Sequence, residues 1–200
     1  MFNWYDLPTY YDVSFSYEMS DELAFLKEVF KKYSNSPQPK LLEPACGTGR
    51  LMIPLIREGF DCSGFDLNRN ALLYLEEKLN RNQLHANVFY DDMNNFKTDG
   101  KYDGIYCTVD TFRHLLTEKE AKQHLVNVTK ALKKNGIYVL GLHLLSKEKK
   151  IDRLTRWTAK RGRLTIKTIM SMIKLDKNKR RETLEVELKL KTRTLLVDLM

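Results

Sequence analysis

The chain has 200 residues, 42% hydrophobic and 30% charged, which is the balance of a globular protein with room for one substantial core. No apolar run reaches the roughly 18 residues a membrane-crossing helix needs, and the opening MFNWYDLPTYYD lacks the basic and apolar regions of a secretory leader. Three cysteines without C-x-x-C spacing, Cys46, Cys62 and Cys107, argue against a zinc site or disulfide framework and for a reducing cytoplasm; the net charge of +8 divides into −2 over residues 1–146 and +10 over 147–200.

In chain order the pattern alternates helix and strand. Residues 20–33 suit a helix, with Ser20 as N-cap and Leu23, Leu26 and Phe30 on one face. The loop SNSPQP leads to a first strand near Lys40–Ala45. A helix over about 50–58 is stopped by Gly59, and Pro54 inside it demands a late start or a kink. A second strand at Asp61–Asp66 precedes a helix over 69–80 carrying Ala71, Leu72, Leu75 and Leu79. A third strand covers Ala86–Tyr90 and a fourth Tyr102–Cys107. Thr117 with Glu120 three residues on is a capping-box pattern opening a helix over 117–133, which Asn135–Gly136 ends before a fifth strand at Ile137–His143. Five strands separated by helices predict an α/β fold with a parallel sheet and right-handed crossovers.

After residue 146 the pattern changes. Lys147–Lys160 is basic and suits a helix. Leu164–Leu175, a turn at Asp176–Lys179, and Leu184, Val186, Leu188 and Leu190 alternating with charged residues predict an antiparallel β-hairpin with one apolar face. That face must cover the rim of the sheet or a second copy of itself. Two divisions follow: 1–146 as the ligand-binding domain and 147–200 as a basic helix and hairpin, acting as substrate cover or dimer contact.

In a parallel sheet the ligand lies at the carboxyl ends of the strands, and four groups of residues fall there: Glu43–Gly49, Asp66, Asp91–Met93 and Cys107–Asp110. Gly47 and Gly49 form a tight turn that lets backbone N–H groups approach a ligand. No Lys follows Gly49, as a phosphate-binding loop would require, and Met52 stands where a dinucleotide fold has its third glycine. With Glu43 in the preceding strand, a pyrophosphate is disfavoured and a cationic ligand tolerated. Asp66 is placed to accept two ribose hydroxyls, and Asp92, with Met93, to accept from an adenine amine. As packing residues, Asp66 would only cap the next helix, and Cys107 would be a small buried strand residue.

These motifs resemble those of class I S-adenosylmethionine (SAM)-dependent methyltransferases over roughly residues 5–145. LLEPACGTGRL resembles the family's first motif, GFDLN its acidic second, YDDMNNF its adenine-binding third, KYDGIYCTVDTFRHL its fourth, and ALKKNGIYVL the entry to strand five. The resemblance implies a Rossmann-like sheet of strand order 3-2-1-4-5 flanked by helices, with a C-terminal antiparallel β-hairpin. It implies S-adenosyl-L-methionine as cofactor and S-adenosyl-L-homocysteine as product. Ala45, Gly47 and Gly49 would pass under the methionine part, Glu43 would face its amino or sulfonium end, Asp66 would take the ribose with Leu67 beside the adenine, and Asp92 and Met93 would hold the adenine edge. Cys107 and Thr108 would offer backbone groups to the amino acid part, and Tyr11 would close over its carboxylate.

Methyl transfer needs an in-line acceptor and a dry site, and a base only where the acceptor must lose a proton. His114 and Asp110 are the candidate bases, then His143, and Arg113 could hold an anionic substrate. CTVD after the fourth strand is not the [NDS]-P-P-[YF] of amino-directed DNA enzymes, which favours a small-molecule acceptor. The basic C-terminal segment keeps an RNA acceptor as the alternative, and SAM binding without catalysis is a second. No metal or membrane role is expected, and a homodimer through the hairpin is one way to cover it. The family pattern continues past the hairpin into a helix and two strands, for which this chain, ending at Met200, has no room.

Overall fold

The computed structural model describes residues 2–16, 19–142, 154–190 and 193–199. In chain order these form β1 (Phe2–Asn3), a 3-10 turn at Trp4–Asp6, α1 (Pro8–Ser14), α2 (Ser20–Tyr33), β2 (Lys40–Pro44), α3 (Met52–Arg57), β3 (Asp61–Asp66), α4 (Arg69–Arg81), β4 (Asn87–Tyr90) and β5 (Tyr102–Cys107). A 3-10 turn at Thr111–His114 follows, then α5 (Glu118–Ala131), β6 (Leu132–Leu140), β7 (Leu154–Arg161), β8 (Leu164–Asp176), β9 (Arg181–Leu190) and β10 (Arg193–Leu199). The chain divides into two units: Glu18–His143, and a discontinuous one made of Met1–Tyr17 with Leu144–Met200. The N-terminal segment thus groups with the C-terminal strands, where the sequence had grouped it with residues up to 146.

The first unit is a five-stranded sheet in the order β4-β3-β2-β5-β6, every pair parallel. This is the expected order 3-2-1-4-5. Strand residues alternate between two cores. Leu41, Cys62 and Tyr106 pack with Leu26 and Phe30 of α2, Leu55 of α3 and Leu75 of α4. Leu42, Phe65, Ile105 and Cys107 pack on the other face with Val128 and Ala131 of α5.

Local chemistry explains the element ends. Helix α3 begins only at Met52, which places Pro54 in the first turn, where its missing N–H is not needed. Asn68 caps α4 by accepting from Ala71 N, and Thr117 and Glu120 form the full capping box of α5. Helix α2 departs from expectation: Ser20 is its first residue, Met19 is the N-cap, and no side chain caps it. Strand β6 starts at Leu132, earlier than the Asn135–Gly136 break suggested. Its register against β5 steps from Tyr102–Leu132 to Gly104–Ile137, so Asn135, with φ +65°, lies in an irregularity of the strand.

The second unit is a five-stranded sheet, β1-β10-β9-β8-β7. The expected hairpin is β8–β9, closed by a turn after Asp176 in which Lys179 N donates to the Asp176 carboxylate, 2.9 Å. It sits between two strands the sequence did not reveal. Leu154–Arg161, expected as helix as far as Lys160, is β7, paired antiparallel to β8; Trp157 and Ala159 face inward while Arg156, Thr158 and Lys160 are exposed, a period of two that the basic composition obscured. The remainder of the basic stretch, 147–153, and His143 lie outside the described residues. The apolar face carrying Val186 and Leu188 is covered by Trp4, Leu7, Tyr10, Tyr11, Val13 and Phe15 from the N-terminal segment, so the unit supplies its own cover. Arg161 donates to the buried Asp12 carboxylate at 2.6 Å and Trp157 Nε1 to Ser14 O at 2.7 Å.

Candidate functional site

The carboxyl ends of β2, β3, β4 and β5 bring three acidic groups and a glycine turn to one rim of the parallel sheet. Strand β2 ends at Pro44, and Ala45 (φ +54°), Gly47 (φ +53°) and Gly49 (φ +72°) turn the chain through left-handed conformations. Cys46 N donates to Phe65 O and Gly49 N to Cys46 O, both 2.9 Å. A Cβ on Gly49 would overlap the Leu75 side chain, so the turn presses against α4 there. At Gly47 a Cβ would meet only the Asp66 carboxylate, 3.9 Å away. The loop therefore leaves its backbone at Gly47 uncrowded, in space that a side chain would enter.

Asp66, at the end of β3, does more than cap the next helix. Its Oδ2 accepts from Gly47 N and its Oδ1 from Asn68 N, each at 2.7 Å, while Asn68 itself does the capping. The carboxylate thus joins the glycine turn to the start of α4. Burial raises its pKa, against the lowering effects of the Asn68, Gly47 and Leu67 N–H groups and of the His114 charge. Beside it, Leu67 is 57% exposed and offers an apolar surface on the rim.

Glu43 lies two residues beyond Leu41 in β2, on the same face. Its Oε2 accepts from Tyr106 OH at 3.0 Å. Desolvation by burial pushes its carboxyl up to about 8, although the Tyr106 hydrogen bond and the Arg50 charge pull the other way. Arg50 is held by Glu22 at 2.8 Å. A buried carboxyl of this kind is set to ionise when a cation arrives.

After β4 the chain forms a compact turn. Asp91 N donates to Asp66 O at 3.3 Å, and the Asp91 carboxylate accepts from Asp92 N at 2.8 Å and Lys97 N at 3.1 Å. Asp91 is therefore spent on the loop itself. Asp92 Oδ1 accepts from Asn94 N at 2.8 Å, and its Oδ2 has no hydrogen-bond donor among the described residues. Met93 is buried, 8% exposed, and packs with Phe65 and Phe96.

At the end of β5 the Cys107 carbonyl accepts from Gly141 N at 2.9 Å, so it is not free for a ligand. The buried Cys107 thiol is pushed up to about 12 by burial and hydrogen-bonds with Tyr138, the state of a packing residue. Thr108 follows at the rim, half-buried. In the next turn Asp110 and Arg113 pair at 3.2 Å, joining the candidate base to the candidate anion-binding side chain. His114 is exposed. Tyr11 belongs to the other unit, in α1, with its ring 5.5 Å from Trp4 and 4.8 Å from Phe15.

Sequence reasoning missed four polar residues here. Tyr106 is the donor to Glu43. His124 of α5 is fully buried, with Nδ1 2.8 Å from Met93 O and Nε2 2.8 Å from Tyr138 OH. A carbonyl only accepts, so Nδ1 carries the proton and Nε2 accepts from Tyr138. Desolvation holds His124 below its ordinary pKa, in keeping with a neutral ring. Asn127, one turn on, donates to Asn94 O at 3.2 Å. The only available signal was the spacing 124, 127, 128, 131 on α5, which mixes polar and apolar residues on one buried face.

Among the described residues no helix is long and apolar enough to cross a membrane, and no His/Cys/Asp/Glu cluster suits a metal ion. A family model for a methyltransferase domain matches residues 41–136. A Geobacillus sp. (strain WCH70) protein named as a methyltransferase is 28% identical over 120 residues, 60% of this chain and 49% of its own length; the chain thus spans about half the length of the curated relatives it matches. Among solved structures, Streptomyces venezuelae DesVI superposes with a TM-score of 0.75 at 18% identity, covering 95% of this chain and 82% of DesVI. SAM-bound CalS10 from Micromonospora echinaspora, described as an amino pentose methyltransferase, gives 0.73 at 16% identity, covering 100% and 84%. At these identities the superpositions show a shared fold.

Proposed function

Because residues 41–136 belong to the methyltransferase-domain family, carried on the Rossmann-like sheet described above, we propose that the chain is a SAM-dependent methyltransferase acting on a small-molecule acceptor. The observation that carries this is the junction of Gly47 N–H with the Asp66 carboxylate at 2.7 Å, beside a Gly47 surface open to a ligand and the buried carboxyl of Glu43. A carboxylate one strand away from a glycine turn suits a ribose. A second carboxylate held protonated by burial suits a ligand with a cationic amino acid end, whose charge offsets the desolvation. The donor set therefore fits SAM and opposes a pyrophosphate.

When bound, this cofactor supplies a methyl group on a positively charged sulfur, already a good leaving group. The protein's part is to bind, orient and exclude water. Gly47 and Gly49 accommodate the methionine portion, Glu43 its positive end, and Asp66 the ribose hydroxyls, with the apolar side of Leu67 against the base. Asp92 Oδ2 would accept from the adenine amine. Thr108 is the proposed contact to the amino acid portion. With the cofactor held there, an acceptor's lone pair would take the methyl carbon as the carbon–sulfur bond breaks, and an amine acceptor would then release a proton. His114, exposed after β5, is the proposed recipient, since Asp110 is engaged with Arg113. A small-molecule amine acceptor draws support from the amino pentose activity named for CalS10.

The test is release of S-adenosylhomocysteine from SAM on a panel of amino sugars, amino acids and simple amines. Turnover on at least one, lost in Asp66→Ala, supports the proposal. Cofactor binding without turnover on any acceptor would leave a SAM-binding protein in its place.

A further inference from the structure

The turn at residues 92–95 meets the rim on one side, and its other side is gripped by helix α5. Its internal bonds, Asn94 N to Asp92 Oδ1 at 2.8 Å and Asn95 N to Asp92 O at 2.9 Å, set its shape but not its position. Its position comes from two consecutive carbonyls held from behind. His124 Nδ1 donates to Met93 O at 2.8 Å and Asn127 Nδ2 to Asn94 O at 3.2 Å. Gln123 Nε2 in turn donates to Asn127 Oδ1 at 3.0 Å and fixes that amide. Residues 124 and 127 are three apart, neighbours on one helix face.

We propose that His124 is a positioning residue for cofactor recognition: it fixes the Asp92–Met93 backbone that recognises the purine and ties it, through Tyr138, to the end of β5. The ring is completely buried, among Phe96, Phe112 and Tyr138 with centroids 5.5 to 5.9 Å away. Burying an imidazole is unfavourable unless both nitrogens are bonded, and an apolar side chain would fill the same space without that requirement. Here both nitrogens are bonded, and both bonds run to rim-forming segments: Met93 after β4, and Tyr138, whose hydroxyl also meets the Cys107 thiol at the end of β5. Asp92 is adjacent to the gripped carbonyl, so its free oxygen is aimed only as accurately as the turn is placed. A purine amine recognised by one carboxylate oxygen demands that accuracy.

The proposal rests on the SAM reading above, and its test separates the two. Titrate wild type and His124→Ala with S-adenosylhomocysteine and with its inosine counterpart, which lacks the amine. His124→Ala is expected to weaken adenosyl binding by about tenfold, the scale of one buried hydrogen bond lost, while inosine-ligand affinity changes little, so the preference for adenine collapses. His124→Asn, whose amide nitrogen occupies the place of Nδ1, is expected to restore it. Equal weakening for both ligands, an unchanged preference, or an Asn variant as poor as the Ala variant would overturn the proposal. Amide exchange in the ligand-free protein gives a second readout: Asn94 and Asn95 should exchange faster in His124→Ala and at the wild-type rate in His124→Asn. Wild-type exchange in His124→Ala overturns the positioning role whether or not any nucleoside binds. If wild type binds neither ligand, the SAM reading falls and the purine role with it. Should His124→Ala not fold, Tyr138→Phe and Asn127→Ala, which each remove one bond from the same clamp, are expected to lower the adenine preference, and two variants with unchanged preference overturn the proposal.

Discussion

Glu43 and Asp66 show how single side chains give the rim its character. Glu43 ionises at about 8 rather than 4.5 because burial outweighs its hydrogen bond from Tyr106. The folded state therefore holds a proton that the unfolded chain has released. Its contribution to stability is fully present below about pH 4.5 and is lost as pH rises through about 8. Glu43→Gln should flatten stability between these limits, as measured by urea denaturation across the pH series; an unchanged slope would place the ionisation elsewhere. The same group should release close to one proton when a cationic ligand binds below pH 8, seen as a buffer-dependent binding enthalpy that Glu43→Gln abolishes. Gly49 makes a steric prediction. Gly49→Ala combines an unfavourable positive φ with overlap against Leu75, and should cost about 1–3 kcal/mol. The positions of Glu43, Asp66, Asp92 and the glycines on the rim were legible because acid-after-strand and glycine-turn patterns are local. Tyr106 and Tyr138 were not, because each finds its partner on another element, Glu43 of β2 in one case and His124 of α5 in the other.

At the level of elements, caps and hairpins were legible where chemistry is local. Thr117–Glu120 and the β8–β9 turn are set by residues within a few positions of one another. Thr117→Ala should cost about 1 kcal/mol and, by fraying the helix that grips Met93 and Asn94, quicken amide exchange at 94–95; stability loss without that quickening would show that α5 does not transmit to the turn. Strand β7 was obscured because LTRWTAKR carries an outward face of basic and hydroxyl residues that mimics a helix by composition alone. Its inward face of Trp157 and Ala159 supplies only two apolar positions, too few to declare a period.

For the whole molecule, the discontinuous unit is the largest departure from expectation. Residues 4–15 cover the apolar face of β8 and β9, through contacts some 150 residues apart in sequence that no local pattern encodes. Arg161 clamps this segment through Asp12, whose side chain is 4% exposed. Arg161→Ala should cost about 2 kcal/mol by removing the guanidinium from that buried carboxylate, and limited proteolysis should cut first near residues 8–16; wild-type resistance would contradict the clamp. The central claim, that the rim of the parallel sheet is a SAM site, is tested most directly by calorimetric titration of the folded chain with S-adenosylhomocysteine. The account predicts binding at close to one per chain, abolished by Asp66→Ala in a variant that remains folded. No binding by the folded wild type, or equal binding by Asp66→Ala, would contradict it.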